Sequence, residues 1–242
     1  MLKGVANAFR IPELRGKILF TIGILLLYRL GAYLPAPGIP FKDMIDVGEK
    51  LSAGNGAIAV LNLFSGGGLS RVSVFSLGIM PYITAQIIMQ MMQAVIPSLA
   101  EMAKEGEAGQ RKITQYTRYV TIALALINAI GYLFLFRAQG INFSQMQGVS
   151  ETLESIIVVL TGAILIMWMG EVLTQRGIGN GMSLIIFVNI MAGLGPTLVR
   201  EWTTQDTGSI ITVITLLVIM AIIPVIVFIE RGQRRIPVQY AK

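Results

Sequence analysis

The 242-residue chain contains no cysteine and no histidine. Disulfides, thiolate nucleophiles, imidazole metal ligands and Ser-His triads are therefore closed to it, and with them most hydrolase and redox mechanisms. Charge is scarce as well: 13% of the residues are charged against 54% hydrophobic, with a mean hydropathy of +0.71. There is no linker between soluble domains, no low-complexity tract and no long internal repeat. In their place stands a series of apolar runs of roughly 18 residues or more, the length a helix needs to cross a bilayer.

That pattern predicts an all-α polytopic membrane protein with about six transmembrane helices, over residues 17–34, 72–96, 116–136, 152–173, 181–199 and 209–229. Six crossings put both ends on one side. A cytoplasmic N-terminus leaves Lys104, Arg111, Lys112, Arg118, Arg176 and Arg231 inside, against Lys42, Lys50, Arg137 and Arg200 outside, which is the positive-inside bias. The formal net charge of +6 is thus largely a topology signal. The first run lacks a small-x-small cleavage site and stays apolar through Arg29 to Leu34, so it is expected to be an uncleaved helix.

The second run is the most polar and interrupted. If it is helical, Ser76, Ile79, Ile83, Gln86 and Gln90 share one face, polar at both ends and aliphatic between. Ser183, Ile186, Ile190, Gly193 and Thr197 repeat the scheme on the fifth run. Two such faces suit a water-filled path pinched by isoleucines, although isoleucines four apart in a membrane helix also face lipid or pack. Pro81 inside the second run predicts a kink, of functional or merely packing origin.

Between the first two spans, the apolar piece 57–64 is too short to cross and must lie on the outer surface or re-enter. Ser65, Gly66, Gly67 and Gly68 end it as a hinge, since glycine costs a helix about 1 kcal/mol relative to alanine and allows positive φ. A surface connector with a glycine turn satisfies the same pattern. Re-entry would itself imply a cavity, because irregular backbone at membrane depth needs protein or water around it.

Elsewhere, Gly177, Gly179 and Gly181 lack the Gly-Lys-Ser/Thr of a phosphate loop and are expected to form a tight inner turn. Arg29, deep in the first span, either marks a pathway or snorkels to the outer interface. Glu154 and Glu171 lie near the ends of the fourth span, so no chain of buried carboxylates crosses the bilayer. This weighs against a proton- or sodium-coupled secondary transporter, which normally keeps ionisable or carbonyl-lined sites near the midplane. A non-conducting assembly scaffold is the other alternative.

Several stretches together resemble one family. The run Leu61-Asn62-Leu63-Phe64-Ser65-Gly66-Gly67-Gly68-Leu69-Ser70-Arg71, followed by Leu77-Gly78-Ile79-Met80-Pro81-Tyr82-Ile83, closely resembles the plug and second helix of bacterial SecY, the channel subunit of the Sec translocon. Arg29-Leu30-Gly31, Pro35-Ala36-Pro37-Gly38, Arg176-Gly177-Ile178-Gly179-Asn180-Gly181 and Glu230-Arg231-Gly232-Gln233-Arg234-Arg235-Ile236-Pro237 agree in the family's order. The resemblance implies a five-helix N-terminal half over 1–199 with a re-entrant plug at 57–70, then a sixth helix and the start of a basic loop over 200–242. The family has ten helices, so the chain is expected to be truncated.

By motif, the resemblance implies a pore ring at Ile79, Ile83, Ile186 and Ile190, and a plug including Asn62, Leu63, Phe64, Ser65, Gly66, Gly67, Gly68 and Leu69. It also implies a lateral-gate helix bearing Pro81, Gln86 and Gln90. Arg231, Arg234 and Arg235 would contact a ribosome or the SecA motor; as residues alone, they suit either a topogenic cluster or an acidic partner. SecE-like and SecG-like subunits, signal peptides and unfolded polypeptides follow as implied partners, no cofactor is implied, and the implied location is the bacterial plasma membrane.

Overall fold

The computed structural model describes residues 11–36, 56–138, 149–204 and 208–232. Among these residues the chain is all-helical, with α1 Pro12–Gly31, α2 Gly56–Phe64, α3 Met80–Val95, α4 Pro97–Lys104, α5 Glu107–Ala138, α6 Val149–Arg176, α7 Gly181–Thr204 and α8 Gly208–Glu230. It divides into two compact units, Met1–Gly193 and Leu194–Lys242.

Among the described residues, three helical stretches are long and apolar enough to cross a bilayer: Glu107–Phe136, Thr152–Arg176 and Val213–Glu230. A fourth qualifies if α3 and α4 are one broken span, bent by 102°. Six were expected. The first helix falls short because every 18-residue window within α1 holds at least three of Glu13, Arg15, Lys17 and Arg29. In α7, which runs to Thr204, the apolar stretch among the residues with described side chains is Gly181–Leu194.

The second expected span is corrected more sharply. Residues 65–79 are a succession of turns, and the helix begins only at Met80. Gly66, Gly67 and Gly78 take positive φ, as does Val72 at 44°, which no α-helix tolerates. Hydrogen bonds there close short turns, such as Gly78 N to Phe75 O at 2.9 Å. Hydropathy cannot tell such a segment from a span, because one buried in protein is as apolar as one in lipid. The five-residue stripe is lost with it: Ser76 and Ile79 precede the helix, and only Ile83, Gln86 and Gln90 share a helical face.

Pro81 does not kink the helix. It sits in the first turn of α3, where its missing N–H is one the helix could not have used. The sharp bend falls at Ile96 instead, extended at φ −98° and ψ 110°, as the residue before Pro97 must be.

In the first unit α3 packs on α5, α5 on α6, and α1 on α6. The main core joins Tyr28 of α1, Phe75 and Ile79 of the turn segment, Ile166, Met169 and Leu173 of α6, and Met182 and Ile185 of α7. Tyr28 stacks on Phe75 with ring centroids 5.6 Å apart. A second cluster of Leu77, Ala125, Ala129 and Ala163 closes α5 onto α6 through small side chains, the usual device where helices associate without a water-driven force. Arg118 of α5 and Glu171 of α6 form a two-pronged ion pair at 2.8 and 2.6 Å. Glu171, expected at the interface, is thereby neutralised against a helix neighbour.

In the second unit, α8 is apolar on every side, from Val213 to Ile229. A helix without a polar face is stable only in a protein core or in lipid, and this one is exposed along its length.

Candidate functional site

The site is built around the end of α2. Nine residues long, α2 is far too short to cross a bilayer. It stops at Phe64, and Gly66 in the left-handed region at φ 66° turns the chain back. Gly67 N then donates to Asn62 O at 2.8 Å and Gly66 N to Leu63 O at 3.0 Å, the paired bonds of a Schellman motif. Further local bonds brace the turn. Ser65 Oγ donates to Asn62 O and accepts from Leu69 N, both at 3.0 Å, while Asn62 Oδ1 accepts from Ser70 N at 3.0 Å.

The Schellman motif leaves the Phe64 carbonyl of the last helical turn without a local donor. Asn189 of α7 supplies one: its Nδ2 donates to Phe64 O and to the Tyr28 hydroxyl oxygen, each at 2.7 Å. Asn189 is wholly buried. One carbonyl further on, Arg29 Nη1 donates to Gly66 O at 2.9 Å. The Arg29 guanidinium also lies over the Tyr33 ring at 5.1 Å, and Arg71 caps the same ring at 4.4 Å. A cation and an amide thus converge on the negative end of α2.

Glycine is required at 66 on two counts. A Cβ there would stand 2.5 Å from Asn189 Oδ1 and 2.7 Å from Arg29 Nη1, and its φ is one that L-residues avoid. Downstream, the turn segment is pinned to the exit of α1 by an isolated bridge, Ala36 N to Val72 O and Val74 N to Leu34 O, each 3.0 Å.

The residues singled out from sequence fall as follows. Asn62 to Phe64 end α2, and Ser65 to Leu69 belong to the turn that follows it. Ile79 is buried in the main core, with Ile83 and Ile186 packed at its margin and Ile190 half-buried. On α7 the buried stripe is Met182, Ile185 and Asn189, so Ile186 and Ile190 occupy the adjoining face. Gly193, on that same face, lies against Leu63: a Cβ there would stand 2.6 Å from Leu63 Cδ1. Gln86 and Gln90 are exposed, and so is Arg231; Arg234 and Arg235 lie outside the described residues. Gly177 to Asn180 do make a tight turn, with Asn180 Oδ1 accepting from Met182 N at 3.0 Å and Ser183 N at 3.3 Å.

Arg29 does not simply snorkel; it reaches a main-chain carbonyl 37 residues away. Sequence reasoning missed Asn189 and Tyr28 altogether. The available signal was the amide itself, a lone strongly polar side chain within the apolar run 184–194.

Comparison with known proteins places the chain. A family model described as SecY matches residues 73–242. The "Protein translocase subunit SecY" of Streptomyces coelicolor is 43% identical over 258 residues, covering 100% of this chain and 58% of that protein. That of Mycobacterium tuberculosis is 46% identical over 254 residues, covering 100% and 56%. The chain therefore spans somewhat more than half the length of the curated relatives it matches. Among solved structures, "The structure of a protein conducting channel" aligns with TM-score 0.51 at 20% identity over 79% of this chain and 39% of that one. "Sec61 in the Canine ribosome-channel complex from the endoplasmic reticulum" aligns with TM-score 0.54 at 18% identity over 92% and 49%. These two likenesses speak for the fold.

Proposed function

The chain belongs to the SecY family, and from that premise we propose that it forms the N-terminal half and sixth helix of a protein-conducting channel that moves unfolded secretory polypeptides across, and membrane segments into, the bacterial plasma membrane. In this reading six helices cross the bilayer, both ends are cytoplasmic, and α2 with the turn after it is a plug re-entering from outside. Ile79, Ile83, Ile186 and Ile190 contribute to the constriction, and α3, carrying Pro81, Gln86 and Gln90, is the gate helix. Arg231, Arg234 and Arg235 belong to a loop that meets a ribosome or the SecA motor. SecE-like and SecG-like subunits complete the assembly.

The observation that carries the reading is the seat of α2. A helix too short to span is held at its end by side chains of α1 and α7, with Leu63 against Gly193 on the face of α7 that bears Ile186 and Ile190. Backbone of this kind at membrane depth is tolerated only where protein or a cavity surrounds it. An aliphatic constriction suits such a channel, since ions cannot shed their hydration shells there while flexible side chains part around a polypeptide.

Single-channel conductance in planar bilayers tests the proposal, in a channel of the relatives' full length carrying these residues. Ile83→Ser with Ile190→Ser should raise resting ion leak, and deleting 62–69 in that background should raise it further. Leucine at both positions should be nearly silent, because it keeps an apolar surface of similar volume. Polar variants as tight as the parent after the plug is removed would refute the pore.

A further inference from the structure

Resting on the reading of α2 as a movable plug, we infer that Asn189 and Arg29 form a two-point polar latch that holds the plug in its seat by its main chain. The bonds divide into two kinds. Those that shape the turn are internal to residues 61–73: the Schellman pair, the Ser65 and Asn62 side-chain bonds, Ser70 Oγ to Gly67 O, and Ser73 N to Gly68 O. Those that anchor its start to the spanning helices are few, and two of them come from single side chains. Asn189 reaches Phe64 O from α7, and Arg29 reaches Gly66 O from α1.

A segment built this way can swing out from its start as a unit, its far end still held to the exit of α1 by the bridge at Val72. Its own fold survives the loss of both external donors, because the internal bonds do not depend on them. The latch acts on carbonyls and is indifferent to the plug's side chains, so it grips at one place only, the negative end of α2, where a cation and an amide donor are both favoured. Asn189 is aimed by its second bond to Tyr28, and Arg29 by the Tyr33 ring and hydroxyl. Gly66 lets the main chain come close enough for both. Asn189 and Arg29 are thus positioning residues for the closed state, one on the same helix as Ile186 and Ile190 and the other on α1, so a movement of α7 away from α1 would pull the two points apart.

The test is thiol labelling in vesicles made permeable to the reagent, with single cysteines in a chain that otherwise has none, carried in the same full-length channel. Leu69→Cys reports the plug and Leu173→Cys reports the helix core; both positions are fully buried. Asn189→Leu, Asn189→Asp, which keeps the shape but removes both donated N–H groups, and Arg29→Met should each speed labelling of Leu69→Cys by about tenfold and leave Leu173→Cys unchanged. No change at Leu69→Cys, or an equal rise at both reporters, would overturn the latch, the second result making these residues general supports of the fold. Leak conductance on the same variants separates the two proposals. Faster labelling with unchanged leak keeps the latch and removes the pore, whereas unchanged labelling removes the latch whatever the leak does.

Discussion

The chain makes two glycine-rich turns, one after α2 and one between α6 and α7, and they are held by different means. At the turn after α2, the ties to other helices come from far away in sequence: Arg29 is 37 residues from Gly66, and Asn189 is 125 from Phe64. At the turn between α6 and α7 the partners are mostly local. Asn180 caps α7 through the N–H groups of Met182 and Ser183, and Thr174 Oγ1 accepts from Gly181 N at 2.9 Å, with one distant bond from Ile178 N to Thr21 Oγ1 at 3.2 Å. The contrast extends to the space around the left-handed glycines. Gly66 is crowded by Asn189 and Arg29, whereas a Cβ on Gly179, at φ 68°, would meet nothing within 4 Å. The turn between α6 and α7, which carries its own caps, behaves as a fixed joint between two helices. The turn after α2 has its own bonds too, but it is tied to other helices by side chains distant in sequence, as the proposed release of the plug would use.

Substitutions at Gly66 and Gly179 put the comparison at risk. Gly66→Ala should be the most damaging, costing about 3 kcal/mol, from a left-handed penalty of about 1–2 kcal/mol together with the displacement of a buried hydrogen bond. Thermal unfolding in detergent measures the loss, and a midpoint within error of the parent would mean that the turn after α2 is not crowded at all. Gly179→Ala should cost only the backbone penalty, about 1–2 kcal/mol, with no change in the labelling of Leu69→Cys. A cost equal to that of Gly66→Ala would erase the distinction between the turns. Asn180→Ala should cost about 1 kcal/mol as a lost helix cap. Its effect should stay local, seen as faster hydrogen exchange at the amides of Met182 and Ser183; exchange that quickens around Gly66 as well would show the turns to be coupled.

Much of this molecule was legible before any coordinates. The absence of histidine and cysteine, the apolar runs and the basic bias of the loops depend only on summed local properties, and they led to a helical membrane protein. The motif from Leu61 to Arg71 pointed to its family and marked the short helix with its glycine stop. Less legible was the stretch 65–79, where a helix was expected and a chain of turns is found. Ser76 and Ile79 lost their place on a helical face for that reason. Pro81, expected to bend the helix, starts it.

What the sequence by itself determined is which segments avoid water, where glycine permits a turn and where proline begins or ends a helix, because each of these follows from a side chain and its immediate neighbours. Only the tertiary structure decided that Asn189 would be wholly buried beside half-buried Ile186 and Ile190, and that Arg29 would spend its donor on Gly66. The Phe64 carbonyl likewise finds its partner 125 residues away. The physical reason is that a buried main-chain carbonyl is costly without a donor, but the sequence specifies only the need; which donor meets which acceptor depends on how the helices pack.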